Sequence, residues 1–209
     1  MPGRPGAYLF DETGFARIKG CLPLEQPAPN PTKLRVDPPA GNFQRVERDQ
    51  MNAQGQGAIT IADLEYRPDG IHIVYLKQSQ TLLLAALPAE FRPADPPLLL
   101  PARRNLGQTW SYTLTSTDGQ ITADFQNVVE SVGETVNFSR SGSASADRVK
   151  TTTRITGQST QGSLDLTRTQ VSWFARDPGF QVKEVVDLTG RIGLCEAEGH
   201  SEALIQMVA

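Results

Sequence analysis

Histidine is the side chain whose charge changes nearest neutral pH, and this chain of 209 residues carries two, His72 and His200. His72 stands mid-strand in Ile71-His72-Ile73, where it reads as a solvent-facing residue; His200 stands in a polar tail. A Ser-His-Asp triad is assembled in space, so spacing alone does not rule one out. No GxSxG elbow, HExxH helix or Walker loop is present, however. Gly55-Gln56-Gly57 precedes a strand, so it lacks the helix N-terminus that cradles phosphates, and it reads as a flexible turn. Asp63-Leu64-Glu65 and Glu196 with Glu198 could offer oxygens to calcium, but their carboxylates are not spaced as in a coordinating loop. They read as solvated charge, as do Arg45, Arg48 and Arg103-Arg104. A glycosidase needs two acids across an aromatic-lined cleft, and four tyrosines with two tryptophans do not map one. We expect no catalytic residue, no metal site and no cofactor, and read the chain as a non-enzyme.

The two cysteines, Cys21 and Cys195, lie near opposite ends of the chain and neither belongs to a CxxC pair, so zinc is not expected. They form either one disulfide closing a very long loop or two separate thiols. Their flanks, Gly20-Cys21-Leu22-Pro23 and Gly193-Leu194-Cys195-Glu196, read as turns, which favours the disulfide.

The remaining chemistry is shelter for something apolar. Trp110, Tyr112, Phe125, Phe138, Trp173, Phe174, Phe180 and Val182 fall on strands of the C-terminal half. If those strands curve, their concave face must be covered by the chain's own side chains, a Pro-rich crossing segment, a partner or a lipid. Trp110, Tyr112, Phe125, Phe138, Trp173 and Phe180 are the candidate ligand-binding residues. Adjacent Trp173 and Phe174 point to opposite faces, one to the core and one partly exposed.

Period-two alternation identifies the elements that must position these residues. Thr109 to Thr115 turns Trp110, Tyr112 and Leu114 one way, Asp118-Gly119 supplies a hairpin, and Ile121, Ala123 and Phe125 return. Ile59 to Arg67 runs into the turn Pro68-Asp69-Gly70, and Ile71, Ile73 and Tyr75 follow. The phase slips between Ile61 and Leu64, which predicts a bulge near Ala62-Asp63. Val132 to Arg140, Arg148 to Gly157, Ser163 to Phe174 and Phe180 to Leu188 complete a meander. Helical patterning is limited to Leu83 to Phe91 and the tail Glu196 to Val208. Leu22 to Pro31 reads as an extended surface link, and Pro88 to Pro101 as a crossing segment within one domain spanning residues 1–209.

Bulk properties narrow the partners. A net charge of −3 offers no basic surplus for nucleic acid. No apolar run approaches the roughly 18 residues of a transmembrane helix. Met1-Pro2-Gly3-Arg4-Pro5-Gly6 has no apolar core of a signal peptide. Either the protein is cytosolic or the chain begins after a removed signal or anchor; we favour the second.

Four segments carry a resemblance: Pro5-Gly6-Ala7-Tyr8-Leu9-Phe10 with Gly14; Leu98-Leu99-Leu100-Pro101 before Leu106-Gly107-Gln108-Thr109-Trp110-Ser111; Val132-Gly133-Glu134-Thr135-Val136; and Val171-Ser172-Trp173-Phe174-Ala175-Arg176-Asp177-Pro178-Gly179-Phe180-Gln181-Val182-Lys183-Glu184. Together they resemble actinobacterial secreted and lipid-anchored proteins of unknown function, and the wider DUF3108-like and LolA/LppX-like half-barrels. Arg176-Asp177 and Phe180 depart from that pattern, as does Phe138-Ser139-Arg140-Ser141-Gly142 after the third segment, and little helix is available to cap a lipid cavity. The resemblance implies a strongly curved antiparallel sheet, an incomplete barrel, whose concave face holds an apolar ligand.

The expectation is therefore an all-β half-barrel or open barrel with at most one or two short helices. Its expected role is that of an extracytoplasmic, cell-envelope protein binding a lipid or other apolar ligand. The alternative is a structural or protein-interaction module of the envelope, meeting a protein partner through a sheet edge or face. A hydrolase with unrecognised machinery is the third reading.

Overall fold

The computed structural model describes residues 2–21, 24–51, 57–82, 85–160 and 162–207. Every regular element among them is a strand. In chain order these are β1 (Gly6–Lys19), β2 (Leu24–Pro27), β3 (Thr32–Val36), β4 (Phe43–Met51), β5 (Gly57–Arg67), β6 (Gly70–Leu82) and β7 (Ala85–Phe91). There follow β8 (Leu98–Pro101), β9 (Thr109–Thr115), β10 (Ile121–Asn137), β11 (Ser143–Ser159), β12 (Gly162–Ala175), β13 (Gln181–Ile192) and β14 (Cys195–Ile205).

All pair antiparallel in one sheet, ordered β7-β6-β5-β4-β3-β1-β14-β13-β12-β11-β10-β9, with β2 beside β1 and β8 beside β6. Pairing β1 with β14 joins the two halves of the chain, in a continuous register from Phe10 opposite Ile205 to Lys19 opposite Glu196. The sheet curls until its end strands β7 and β9 approach, and it stops as a barrel with one unsealed seam. Across that seam Thr117 donates to Glu90 O through its backbone N–H at 2.7 Å and its hydroxyl at 2.6 Å. Arg104 Nε, in the loop after β8, donates to Asp147 Oδ2 of β11 at 2.7 Å. Asp147 is buried and Arg104 largely so, and Arg104 is not the surface charge its sequence context suggested.

Glycines let the sheet bend this tightly. Gly14 and Gly190 have φ of 136° and 142°, and a Cβ at either would sit 2.0 Å from His200 O or 2.2 Å from Asp165 O. Such close passage of neighbouring backbones marks corners of a curled sheet. A bulge does fall in the β5–β6 ladder at Asp63 and Leu64, but the extra residue is Val74 on β6, and Ala62, Leu64 and Tyr66 keep one phase along β5. What the sequence divided into a return strand and Val132 to Arg140 is the single 17-residue β10, continued through shifts between Val129, Ser131 and Glu134.

Both helical expectations are overturned. Ala85–Phe91 is strand β7, paired to β6; residues 83 and 84 lie outside the described residues. The tail is strand β14, held on both edges by β1 and β13, with residue 208 outside the described residues. Two-sided ladder hydrogen bonding outweighs a weak helical period, since periodicity in short segments is easily overridden by tertiary pairing. The Pro-rich link from Leu22 also contains strand, β2, which places Gln26 in the interior. Cys21 and Cys195 are disulfide-bonded, 174 positions apart in sequence with Cα atoms 5.5 Å apart.

Apolar side chains fill the interior in two main clusters. One joins Tyr8, Phe10, Leu34, Val36, Trp173, Val182 and Ile205. The other joins Leu64, Ile73, Phe91, Leu114, Ile121, Leu166 and Ile192. A smaller group joins Leu100 of the crossing segment to Val129 and Val149.

Candidate functional site

The interior is not uniformly apolar. On β1 the inward phase reads Tyr8, Phe10, Glu12; on β13 it reads Val182, Glu184, Val186, Leu188; on β12 it reads Leu164, Leu166, Arg168, Gln170. β4 contributes Arg48 and Gln50 on the phase of buried Gln44. Four charged groups therefore meet inside the barrel: Glu12, Arg48, Arg168 and Glu184.

Their hydrogen bonds are unevenly distributed. Glu12 is 3% exposed and accepts from the Thr32 hydroxyl and from Gln50 Nε2, the latter at 3.0 and 3.1 Å. Glu184 is 2% exposed. It pairs with Arg48 Nη1 and accepts from Gln170 Nε2 at 2.6 Å and Gln181 Nε2 at 2.7 Å. Arg48 reaches toward both carboxylates, its Nη2 lying 3.8 Å from Glu12 Oε2, beyond hydrogen-bond distance. Its Nε and Nη2 are buried without a hydrogen-bond partner among the described residues. Arg48 is thus a buried ion-pair member, not the surface charge expected of it.

Burial raises the pKa of Glu184, but Arg48, Arg168 and the Gln181 amide outweigh it, and the net displacement is downward. Arg168 is held below its ordinary value, chiefly by burial, partly offset by Glu184. Among the described residues, the Arg168 guanidinium has electrostatic neighbours but no hydrogen bond.

Beside this charged layer lies a cavity of about 200 Å³. Arg168, Glu184, Glu12 and Gln50 form its polar side; Ile155, Leu166, Val186, Leu188 and Ala16 form its apolar side. Segment Gln26–Pro29, Ala58 and Gln78 border it further. A larger hollow of about 370 Å³ lies around residues 28–31 with Lys33, Asp49 and Met51. Lys33, Asp49 and Met51 occupy the outward phase of their strands, so that hollow is on the surface, and the inner cavity is the candidate site.

None of the six aromatic residues proposed from sequence lines the inner cavity. Trp173, Phe138 and Phe180 pack in the first apolar cluster, where Phe180 meets Tyr8 with ring centroids 4.5 Å apart. Tyr112 and Phe125 stack in the second at 4.5 Å and 17°. Trp110 packs beneath the crossing segment with Phe174, its indole N–H buried without a partner among the described residues. Trp173 and Phe174 do part company, with a bulge between them.

His72 is buried, contrary to its expected solvent exposure: Nδ1 lies 2.9 Å from Pro96 O and Nε2 3.1 Å from Asp69 Oδ1. It pins the crossing segment to β6. His200, which also borders the cavity where it opens to solvent beside Phe15, pairs with Asp187 at 2.7 Å and is partly exposed. Gly57 opens β5, while Gly55 and Gln56 lie outside the described residues. Among the described residues no group of His, Cys, Asp and Glu side chains could hold a metal ion, and no helix is long and apolar enough to cross a membrane.

The charged layer escaped the sequence reading, in which Arg48 alone of its members was considered, and as surface charge. The available signal was its phase: Glu12, Arg168 and Glu184 each occupy the inward register of an otherwise apolar alternation. Compared with family models, with curated proteins and with solved structures, the chain matches none.

Proposed function

We propose that this protein is a non-enzymatic binding protein that shelters a small, largely apolar molecule inside its barrel. The observation that carries this reading is the inner cavity, which has an apolar wall and a few convergent polar groups, the usual composition of a ligand pocket. Its volume of about 200 Å³ suits a short chain rather than a complete two-tailed lipid.

The Cys21–Cys195 disulfide supports an oxidising environment, because such bonds persist mainly outside the cytosol. A secreted or cell-envelope location, and kinship with the LolA/LppX-like half-barrels, fit that chemistry and the barrel together and belong to the same proposal.

Native mass spectrometry of gently purified protein tests the reading. A retained small-molecule mass, or uptake of one on mixing with short-chain amphiphiles, is the expected result. A clean apo mass that no amphiphile shifts would refute it.

A further inference from the structure

We propose that the cavity selects a short-chain monocarboxylate, seating its carboxylate on the guanidinium of Arg168. This inference rests on the reading of the barrel interior as a ligand site and names the chemistry of the ligand.

The argument is an inventory of donors and acceptors. Both interior carboxylates are already engaged: Glu184 by Arg48, Gln170 and Gln181, and Glu12 by Thr32 and Gln50. Arg168 lines the cavity with no hydrogen bond among the described residues, so the donors of its planar fork have no protein acceptor. Arg48, across the same layer, keeps Nε and Nη2 unpartnered as well. Arg168 is half-buried, so its guanidinium faces the cavity as an accessible cation without a protein acceptor, and the buried open donors of Arg48 lie behind it in the same layer. Gln26 Oε1 is a buried acceptor without a partner among the described residues at the same cavity, so octylamine tests the opposite choice of ligand charge.

The acceptor that best matches a guanidinium is a planar pair of oxygens, which it can hold through two parallel bonds. A dianionic phosphate fits less well, because Glu12 and Glu184 line the same cavity and repel a second negative charge. The rest of the wall sets the tail: Ile155, Leu166, Val186 and Leu188 offer aliphatic contact, and the volume limits the chain to a short one.

Calorimetric titration of the purified protein with octanoate, 1-octanol and octylamine tests this, using the wild type, Arg168→Gln and Arg168→Lys. In the wild type, octanoate is expected to bind at least about tenfold more tightly than octanol, the worth of a charge-assisted hydrogen bond. Octylamine is expected to bind weakest. Arg168→Gln should erase the preference for octanoate over octanol, and Arg168→Lys should keep part of it. Equal wild-type affinities for octanoate and octanol would overturn the carboxylate assignment and leave the apolar site standing. Failure of all three ligands to bind would overturn both. Should Arg168→Gln not fold by circular dichroism, the wild-type ratio of octanoate to octanol decides the matter alone.

Discussion

Replacing Glu184 by Gln should destabilise the protein by about 3–5 kcal/mol, the usual cost of removing one partner from a buried ion pair. The side chain is 2% exposed and accepts from three donors, Arg48 Nη1, Gln170 Nε2 and Gln181 Nε2. A glutamine offers one oxygen in place of two, and its amide points donors at donors. Arg48 and Arg168 would then share the interior with Glu12 as the remaining carboxylate of the layer. The same group makes stability pH-dependent. The Glu184 pKa is lowered in the folded state, so its contribution is full above the unfolded value of about 4.3. That contribution falls as pH drops through the lower folded value. Urea unfolding of wild type and Glu184→Gln, at neutral pH and at a series of acidic pH values, measures both effects. The gap between the two proteins should be largest at neutral pH and shrink on acidification. The double variant Arg48→Met with Glu184→Leu should recover much of the loss, because it removes both charges together. A Glu184→Gln protein within about 1 kcal/mol of wild type, or a gap that widens in acid, would refute the ion-pair reasoning.

Reduction of the Cys21–Cys195 bond should raise the mass by about two daltons and lower stability by roughly 3–5 kcal/mol, since the bond closes a loop of 174 positions; denaturant unfolding with and without reductant reads this. Gly190→Ala would place a Cβ 2.2 Å from Asp165 O at a φ of 142°, and a loss of about 2 kcal/mol or more is expected in thermal melts. Burial raises the Tyr112 pKa, so its contribution to stability is intact below about pH 10 and is lost as pH rises beyond that. In an ultraviolet alkaline titration its phenolate should appear only with unfolding, and early ionisation of Tyr112 would contradict its place in the stack with Phe125. Arg104→Ala should expose the seam, seen as faster hydrogen exchange in β9 and β11 while β1 and β14 stay protected.

Where inward residues are large, the sequence displayed the fold openly. Trp110, Tyr112 and Leu114 alternate with Ser111 and Thr113, and β9 lies where that pattern put it. The irregular spacing on β5 pointed to the right rung of the ladder, but the extra residue, Val74, is on β6. β14 was hidden because its inward positions, Ala197, Gly199, Ser201 and Ala203, are small or polar and leave no hydropathy alternation to see. The candidate site was hidden for a related reason. A charged residue at an apolar phase looks like surface until a partner from another strand is known, and Arg48, Arg168, Glu12 and Glu184 come from four different strands. Only the barrel topology brings β4 opposite β13, and only the completed hydrogen-bond inventory leaves Arg168 without an acceptor. The aromatic residues drew attention by size, yet they pack against one another as core.

The measurement that bears most directly on an occupied barrel interior is a methyl-resolved NMR titration with octanoate. Saturable shifts should concentrate at Ile155, Leu166, Val186 and Leu188, with little change at outward-facing methyls such as Leu9 and Leu194. Shifts confined to the outer surface, or none at any concentration, would contradict a ligand site inside the barrel.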